Sequence, residues 1–458
     1  MTTATRQLIS GWGRYPVANA VVVRPRCMSE VALPSAGTLI CRGQGRSYGD
    51  AAISNHGVVL LTEALNRVQC FDDATGLLVA EAGMTIGDIL NEFVPRGWFP
   101  PVTPGTRHVS LGGAVAADVH GKNHHRDGTF GQHVSTLELI LADGCRVRCG
   151  PAENPDLFWA TVGGLGLTGI ITQVALKLIP IETPYMVAEH FQAPDLEAAF
   201  RWLEDSGHDD HYTVAWIDCL SRGRHFGRSI VMRGHHAHRD DLPAGRTVPV
   251  SHSRRVPLAL PFDFPSFFLN PLTIGVFNHL YFALQGRKRR PFLTGHDAFF
   301  YPLDAIGNWN RMYGKRGFLQ YQVVIPERAA AAGVRAILER LVQSRRASFL
   351  AVLKRFGPAN AGPLSFPAAG HTLALDLPMT GGDVLGLLDE LDEIVLRFGG
   401  RVYLAKDARL APERLRAMYP RLPEWLRVKG VVDPRGRFSS SLSGRLRLEP
   451  VAQGVSQS

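Results

Sequence analysis

The sequence predicts an α+β protein of two domains, and three observations predict it. The chain has 458 residues, past the roughly 250–300 at which a single hydrophobic core stops growing. Its first third is rich in glycine and in short β-like runs, a texture that ends near Pro180 to Pro184. Beyond that point β-like runs and amphipathic helices alternate in a way that reads as an antiparallel sheet backed by helices.

Composition narrows the class. Hydrophobic residues make up 45% and charged residues 20%, the balance of a globular protein without low-complexity tracts or repeats. The start, MTTATRQLISGWGRYP, lacks the apolar centre of a signal peptide, and no apolar run approaches the about 18 residues of a membrane span. A cytoplasmic protein, or one peripheral on an inner membrane, is therefore expected. The net charge of +9 suits anionic partners, but the arginines are scattered without an aromatic-interleaved signature, which counts against nucleic acid. Six cysteines (Cys27, Cys41, Cys70, Cys145, Cys149, Cys219) show no CxxC or zinc-ribbon spacing. On one strand Cys145 and Cys149 would stand about 13 Å apart, too far for a disulfide; reduced, mostly buried thiols are expected.

In chain order, Val17–Val23 and Thr38–Cys41 read as buried strands. CRGQGRSYGDA follows, a strand running into Gly43, Gly45 and Gly49 with Arg42, Arg46 and Tyr48 interleaved, which suits either a turn closing on a phosphate or an ordinary glycine-rich hairpin. Val58–Leu61 and Gly76–Ala82 are strand-like, and Thr85–Phe93 has helical spacing with Thr85 as its cap. Pro104 to Val134, PGTRHVSLGGAVAADVHGKNHHRDGTFGQHV, is the organising stretch. Glycines and clustered histidines make poor material for a plain helix or strand. They suit backbone passing close to a ligand, with the amides of Gly112 and Gly113 free for anionic oxygens and histidines alongside.

Thr136–Leu141 and Arg146–Cys149 predict a hairpin around Ala142-Asp143-Gly144. Gly164, Gly166 and Gly169 satisfy GxGxxG, but Ile170–Ile179 after them alternates like a strand, so the helix that a nicotinamide fingerprint must open is missing. Helix 195–205 and strands 212–218 and 229–233 come next. Phe262 to Arg290 joins aromatic and apolar residues to Arg287, Lys288, Arg289 and Arg290, either a surface that dips among lipid headgroups or a core segment ending in a charged turn. Strand 319–325 places Gln320 and Gln322 on one face, and helices 327–342 and 383–398 alternate with strands 349–356 and 373–377. Arg401–Leu404 leads into Ala405-Lys406-Asp407 and two short helices.

Taken in order, RGQGRSYGDA, PGTRHVSLGGAVAADVHGKNHH, FWATVGGLGLTGII, FLQYQVVIP, FGP, LSFP, RVYLAKDAR and DPRGRF resemble the flavoprotein subunit of decaprenylphosphoryl-ribose 2-epimerase, in the vanillyl-alcohol-oxidase-like FAD-binding superfamily. The resemblance implies a PCMH-type FAD-binding domain from residues 1–182 and 401–458, with a substrate domain, 183–400, inserted between them. It implies noncovalent FAD, a polyprenyl-phosphate-linked ribose as substrate, and a separate NAD(P)H-dependent short-chain reductase as partner. The ribose C2 hydroxyl would be oxidised to the 2-keto compound, the first half of epimerisation to the arabinose lipid, with peripheral membrane contact.

By resemblance, Arg42, Gly43, Gly45, Arg46, Ser47, Tyr48, Gly49 and Asp50 surround FAD, together with Gly105, Thr106, Ser110, Gly112 and Gly113. Ala117, Asp118, His120, Gly121, Ile171 and Tyr403 complete that set. Lys406 matches the active-site lysine, as base or orienting group, with an ion pair to Asp407 as its structural alternative; His120 stands beside it. Tyr48, Lys122, Gln320, Gln322 and Lys354 are the expected substrate contacts. One departure is Ala374, in HTLALDLP, where many members of the family carry cysteine: either that thiol is dispensable for turnover or the substrate differs, and the first, which hydride transfer favours, predicts insensitivity to reagents that capture it. Three other readings compete. His120, His124, His125 and His133 with Asp118 would suit a metallohydrolase, but HxxxHH outside a helical HExxH frame is a weak signal. A non-catalytic lipid-phosphate binder would retain no flavin. A nearer competitor is an FAD enzyme acting on a soluble sugar or aldonolactone.

Overall fold

The computed structural model describes residues 4–449 except 206–209, 244–257, 266–268, 287, 289, 345, 347, 349 and 380–382. Arg287 and Arg289 of the basic cluster, and Phe349 at the start of one expected strand, lie outside the described residues.

The N-terminal part holds two sheets. One has the order Thr5–Ser10, Val17–Val23, Val58–Leu61, Leu39–Arg42, its first pair antiparallel and the other two parallel. Along Val17–Val23 the side chains of Ala18, Ala20 and Val22 are buried while Val17 and Asn19 are exposed, the period-two signature of a half-buried strand. Thr5–Ser10 escapes sequence reading because TRQLIS is an edge strand without a buried face; Leu8 is 74% exposed. The second sheet is antiparallel, in the order Val68–Asp72, Leu77–Glu81, Ile170–Lys177, Val134–Ile140, Arg146–Cys149. Its last two strands are the hairpin expected around Gly144. Helix Ile86–Phe93 starts at Thr85 with a capping box to Asp88. Gly164, Gly166 and Gly169 run from helix Pro155–Thr161 into a strand, the reverse of the nucleotide-binding order.

The central stretch differs from expectation. Leu111–Ala116 and His124–Asp127 are short helices, and Phe130–His133 is a 3-10 turn. Tertiary hydrogen bonds override the poor propensity: the Leu111 amide donates to Met84 O and that of Gly112 to Ala82 O, both at 2.8 Å. The Gly113 amide donates to the capping hydroxyl of Ser110 at 3.3 Å. These glycine amides are therefore committed, and Gly112 serves close packing; a Cβ there would stand 3.0 Å from the Ala82 Cβ.

The largest sheet has eight antiparallel strands: Phe292–Gly295, Tyr185–Ala193, Ser229–His236, Tyr212–Ile217, Ala351–Phe356, Gly370–Pro378, Phe318–Pro326 and Arg401–Val402. Helices Leu196–Glu204, Ala330–Gln343 and Val384–Arg397 bury their apolar stripes against one face, where Leu373, Leu375 and Leu377 join the same core. Helices Pro412–Met418, Leu422–Val432 and Ser441–Leu446 close the chain.

All six cysteines are free, but only Cys149 and Cys219 are buried, whereas Cys70 and Cys145 are exposed at a sheet edge and a turn. Among the described residues no helix is long and apolar enough to cross a membrane.

Candidate active site

The face of the eight-stranded sheet opposite those three helices is a grid of functional side chains. Strand register aligns Gln320 with Asp376, Gln322 with Ala374, and Ala374 with Val352; a further row pairs Thr372 with Lys354. Because side chains alternate along a strand, Gln320, Gln322, Val352, Lys354, Thr372 and Ala374 all line one cavity of about 460 Å³.

The opposite wall comes from the glycine-rich loops and the turn after Arg401–Val402. The amide of Gln322 donates to His120 Nε2 at 2.9 Å and to Thr372 Oγ1 at 3.1 Å. That places the proton of the neutral imidazole on Nδ1, which is buried without a partner among the described residues. The His120 ring is held among Phe356, Phe366 and Tyr403 at centroid distances of 4.8, 5.6 and 5.2 Å. Tyr403 donates its hydroxyl to Ala117 O at 2.7 Å and its amide to Gln322 O at 2.8 Å, joining loop to sheet. Lys406 sits one turn on, with its Nζ 3.9 Å from the centre of the Tyr48 ring. Its neighbour Asp407 does not pair with it. Arg445 takes that carboxylate in an ion contact at 2.9 Å while binding Asp50 at 2.7 Å, so the last helix clamps both the Tyr48 loop and the Lys406 turn.

The charges in and behind this cavity perturb one another. Burial, with repulsion from Lys354, pushes Lys406 down to about 7 although Asp376 opposes the fall. Burial lowers Lys354 to about 8. Lys122 falls to about 7 through burial and Lys354. His120 is held well below its ordinary range by burial and then by Lys354, His124 and Lys406, so it is neutral. Asp376 is pushed up to about 6 by burial, against hydrogen bonds from Gln320 at 2.6 Å and Tyr313 at 3.0 Å. Converging cations with depressed affinities for protons fit an anionic ligand, which would relieve their repulsion.

Most of the residues marked by sequence line the cavity: Gly43, Gly45, Arg46, Ser47, Tyr48, Gly105, Thr106, Ser110, Gly112, Gly113, Ala117, His120, Ile171, Tyr403 and Lys406, with Gln320, Gln322 and Lys354. Six stand behind it. Arg42 holds Ser10 O and Ala52 O. Gly49 packs on Asp407 O, and Gly121 on Asn123 and Thr103. Asp50 binds Arg445. Asp118 binds Asn360, Ser365 and the Gly131 amide. Lys122 donates to Phe299 O, with its Nζ 4.4 Å from the ring centre of Phe299. Sequence reasoning missed Thr372, Asp376, Asp304, Trp309 and Arg445, which carry no local motif; only strand register and loop closure bring them in. Among the described residues no three His, Cys, Asp or Glu side chains are grouped to hold a metal ion, and His124 instead accepts the Gly357 amide.

The cavity fits FAD. Polar backbone from Gly43 to Ser47 and Pro104 to Thr106 shares it with the apolar surfaces of Ala116, Val119 and Ile171, as a ligand with a diphosphate and aromatic rings requires. A Cβ on Gly43 would collide with the Ser110 side chain, and one on Gly105 would meet nothing within 4 Å. His120, which lines the cavity, keeps an Nδ1 without a partner among the described residues. Residues 21–150 match the FAD binding domain model. Over 456 residues the chain is 39% identical to decaprenylphosphoryl-beta-D-ribose oxidase of Mycolicibacterium smegmatis, a match covering 97% of this chain and 98% of that one. The chain belongs to the decaprenylphosphoryl-beta-D-ribose oxidase family. It is also 37% identical over 374 residues to a Streptomyces coelicolor protein from the mprA 5' region, which it covers completely, at 100%. Human Delta(24)-sterol reductase shares 34% over 110 residues, only 24% of this chain and 21% of that one. As a member of the decaprenylphosphoryl-beta-D-ribose oxidase family it carries FAD, in a PCMH-type binding domain.

Proposed function

We propose that this chain is an FAD-dependent oxidoreductase that oxidises the C2 hydroxyl of a polyprenylphosphoryl-β-D-ribose to the 2-keto sugar. This is the first half of a 2-epimerisation leading to the arabinose lipid of a cell envelope. The observation that carries the reading is the 39% identity over 97% of the chain with the Mycolicibacterium smegmatis oxidase. Bound in the cavity, FAD supplies the acceptor for the hydride that leaves C2.

The protein's own part is small. Lys406 takes the hydroxyl proton as the carbonyl forms, a role its pKa of about 7 suits at neutral pH. Tyr48 holds the ammonium face of Lys406, and Gln320 and Gln322, whose amide nitrogens are held by Asp376, His120 and Thr372, offer their carboxamide oxygens to the sugar hydroxyls. His120, neutral and pinned by Gln322, orients without titrating. Lys354 receives the phosphodiester, with Lys122 behind it adding charge. The cofactor-binding role of the glycine-rich loops and of Tyr403 belongs to the same proposal. Residues 1–182 with 401–458 form the FAD domain and 183–400 the substrate domain. In support, seven of the eight strands of the largest sheet fall between Tyr185 and Pro378, with only the two-residue edge strand Arg401–Val402 beyond 400, while Arg445 ties the last helix to Asp50. A separate NAD(P)H-dependent reductase returns hydride to the keto sugar, and the polyprenyl tail brings the chain to a membrane surface.

The test is the visible spectrum of the purified protein, followed anaerobically. Bleaching of the flavin bands by a polyprenylphosphoryl ribose is the expected result. Bleaching by free sugars or aldonolactones alone assigns a soluble substrate, and a protein that cannot be loaded with FAD removes the reading altogether.

A further inference from the structure

The helix Pro271–Gln285 is about 22 Å long at 1.5 Å per residue and carries no Asp, Glu, Lys or Arg. One face does ordinary packing. Ile274 and Asn278 are buried, Asn278 donates to Asp218 at 2.7 Å, and Tyr281 meets Trp216 at a ring distance of 4.8 Å. Asp218 is itself neutralised by Arg228 at 2.8 Å. Along the other face the aliphatic side chains are exposed. Leu272 is 76% exposed and Val276, Leu280 and Leu284 are each 55% exposed, while Phe277 stacks on Tyr281 at a ring distance of 5.8 Å. Single exposed apolar residues are common, but a continuous stripe along one helix marks an interaction surface.

Charge selects the occupant. From Phe264 to His296 the sequence holds no carboxylate, and the residues just past the helix are Arg287, Lys288, Arg289 and Arg290. Lys288 and Arg290 are exposed. An apolar stripe with a cationic end matches the two layers of a membrane surface, acyl chains below and anionic phosphates above. A second copy of this segment would offer these cations no carboxylate. A specific protein partner needs polar groups to fix its register, about one hydrogen bond per 100–200 Å² of interface, and the stripe offers few.

The position is also apt. Trp216 pairs with Val352, which pairs with Ala374 in the row that reaches Gln322. The buried face of this helix therefore ends where the row of cavity side chains begins.

We infer that the helix Pro271–Gln285 and its basic C-terminal flank form a membrane-docking surface that inserts Leu272, Val276, Leu280 and Leu284 among the acyl chains of an anionic leaflet. Docking there is a property of the surface and goes beyond the substrate assignment.

The experiment uses the full-length FAD-loaded protein and sedimentation with phosphatidylcholine vesicles, with or without about 30% phosphatidylglycerol. The wild type sediments with the anionic vesicles and stays in solution with the neutral ones. Leu280→Glu lowers partitioning at least about tenfold, the effect of losing one buried leucine. Lys288→Glu with Arg290→Glu lowers it roughly 25-fold, about fivefold per cation. Unchanged flavin absorbance and melting temperature show that the variants fold. The vesicles contain no sugar lipid, and bleaching by a short-chain, water-soluble polyprenylphosphoryl ribose is the same for wild type and Leu280→Glu, so this test and that of the substrate fail separately. A wild type that ignores anionic vesicles, or variants that bind as it does, overturns the inference. So does self-association or reductase binding lost in Leu280→Glu while vesicle binding is unchanged, because a protein then covers the stripe.

Discussion

Lys406 is where the burial of a single group has the largest chemical consequence. Its amine is held at about 7, where an unperturbed lysine has 10.5. At pH 7 about half the molecules carry a neutral amine, against roughly one in 3,000 for a lysine at the unperturbed value, so burial raises the population of competent base on the order of a thousandfold. The sign follows: the amine is neutral above its pKa. Anaerobic single-turnover reduction of the flavin should rise about tenfold per pH unit below 7 and level off above about 8. Lys406→Met removes the base, and the rate falls by about 10²–10⁴, or roughly 3–5 kcal/mol in the barrier. Lys406→Arg keeps the charge but holds its proton throughout, so its profile is low and flat. Asp376→Asn removes the charge that raises Lys406 and moves the rising limb to lower pH. Stopped-flow absorbance of the flavin reads all four proteins. A wild-type rate that is flat with pH, or a Lys406→Met rate within about threefold of wild type, would refute the reasoning.

Three further outcomes follow from the same geometry. Lys354→Ala should raise KM for the phosphorylated substrate about 10- to 100-fold, the worth of a charge-assisted hydrogen bond, with little change in kcat on the high-pH plateau; because Lys354 also depresses Lys406, the pH limb should move upward. Arg445→Met leaves Asp50 and Asp407, 5% and 3% exposed, without their cation; urea titration should show a loss of about 3–5 kcal/mol, and FAD retention should drop with it. Ala374→Cys places a thiol between Gln322 and Val352 in the cavity, so thiol reagents should block flavin bleaching in the variant and spare the wild type. Cys41 lines the same cavity, but burial pushes its thiol up to about 12 and keeps it inert.

Much of the fold was legible because the core strands and helices alternate at clean periods. Phe318–Pro326 buries Leu319, Tyr321 and Val323 under helices and turns Gln320 and Gln322 to the cavity, as two-residue periodicity requires. The helices behind Asp195 and Asp383 begin at those capping residues. Edge strands were not legible: Thr5–Ser10 and Val68–Asp72 bury no continuous face. Around Gly112 the local signal misled. Glycine propensity argues against a helix, and hydrogen bonds to Ala82 and Met84, remote in sequence, form one anyway.

By itself the sequence determined the residue types that do the chemistry, the glycines that let backbone approach a ligand, and the alternation that sorts each strand into a core face and a cavity face. Those are local properties, set by side-chain size and chain period. Only the tertiary structure decided which polar residues act on one another. Lys406 owes its low pKa to burial and to Lys354, tempered by Asp376, and its placement to a clamp through Arg445. Lys122, marked by sequence as a substrate contact, is drawn aside to the carbonyl of Phe299. Desolvation and Coulomb interaction depend on distance in space, and strands from remote parts of the chain set those distances.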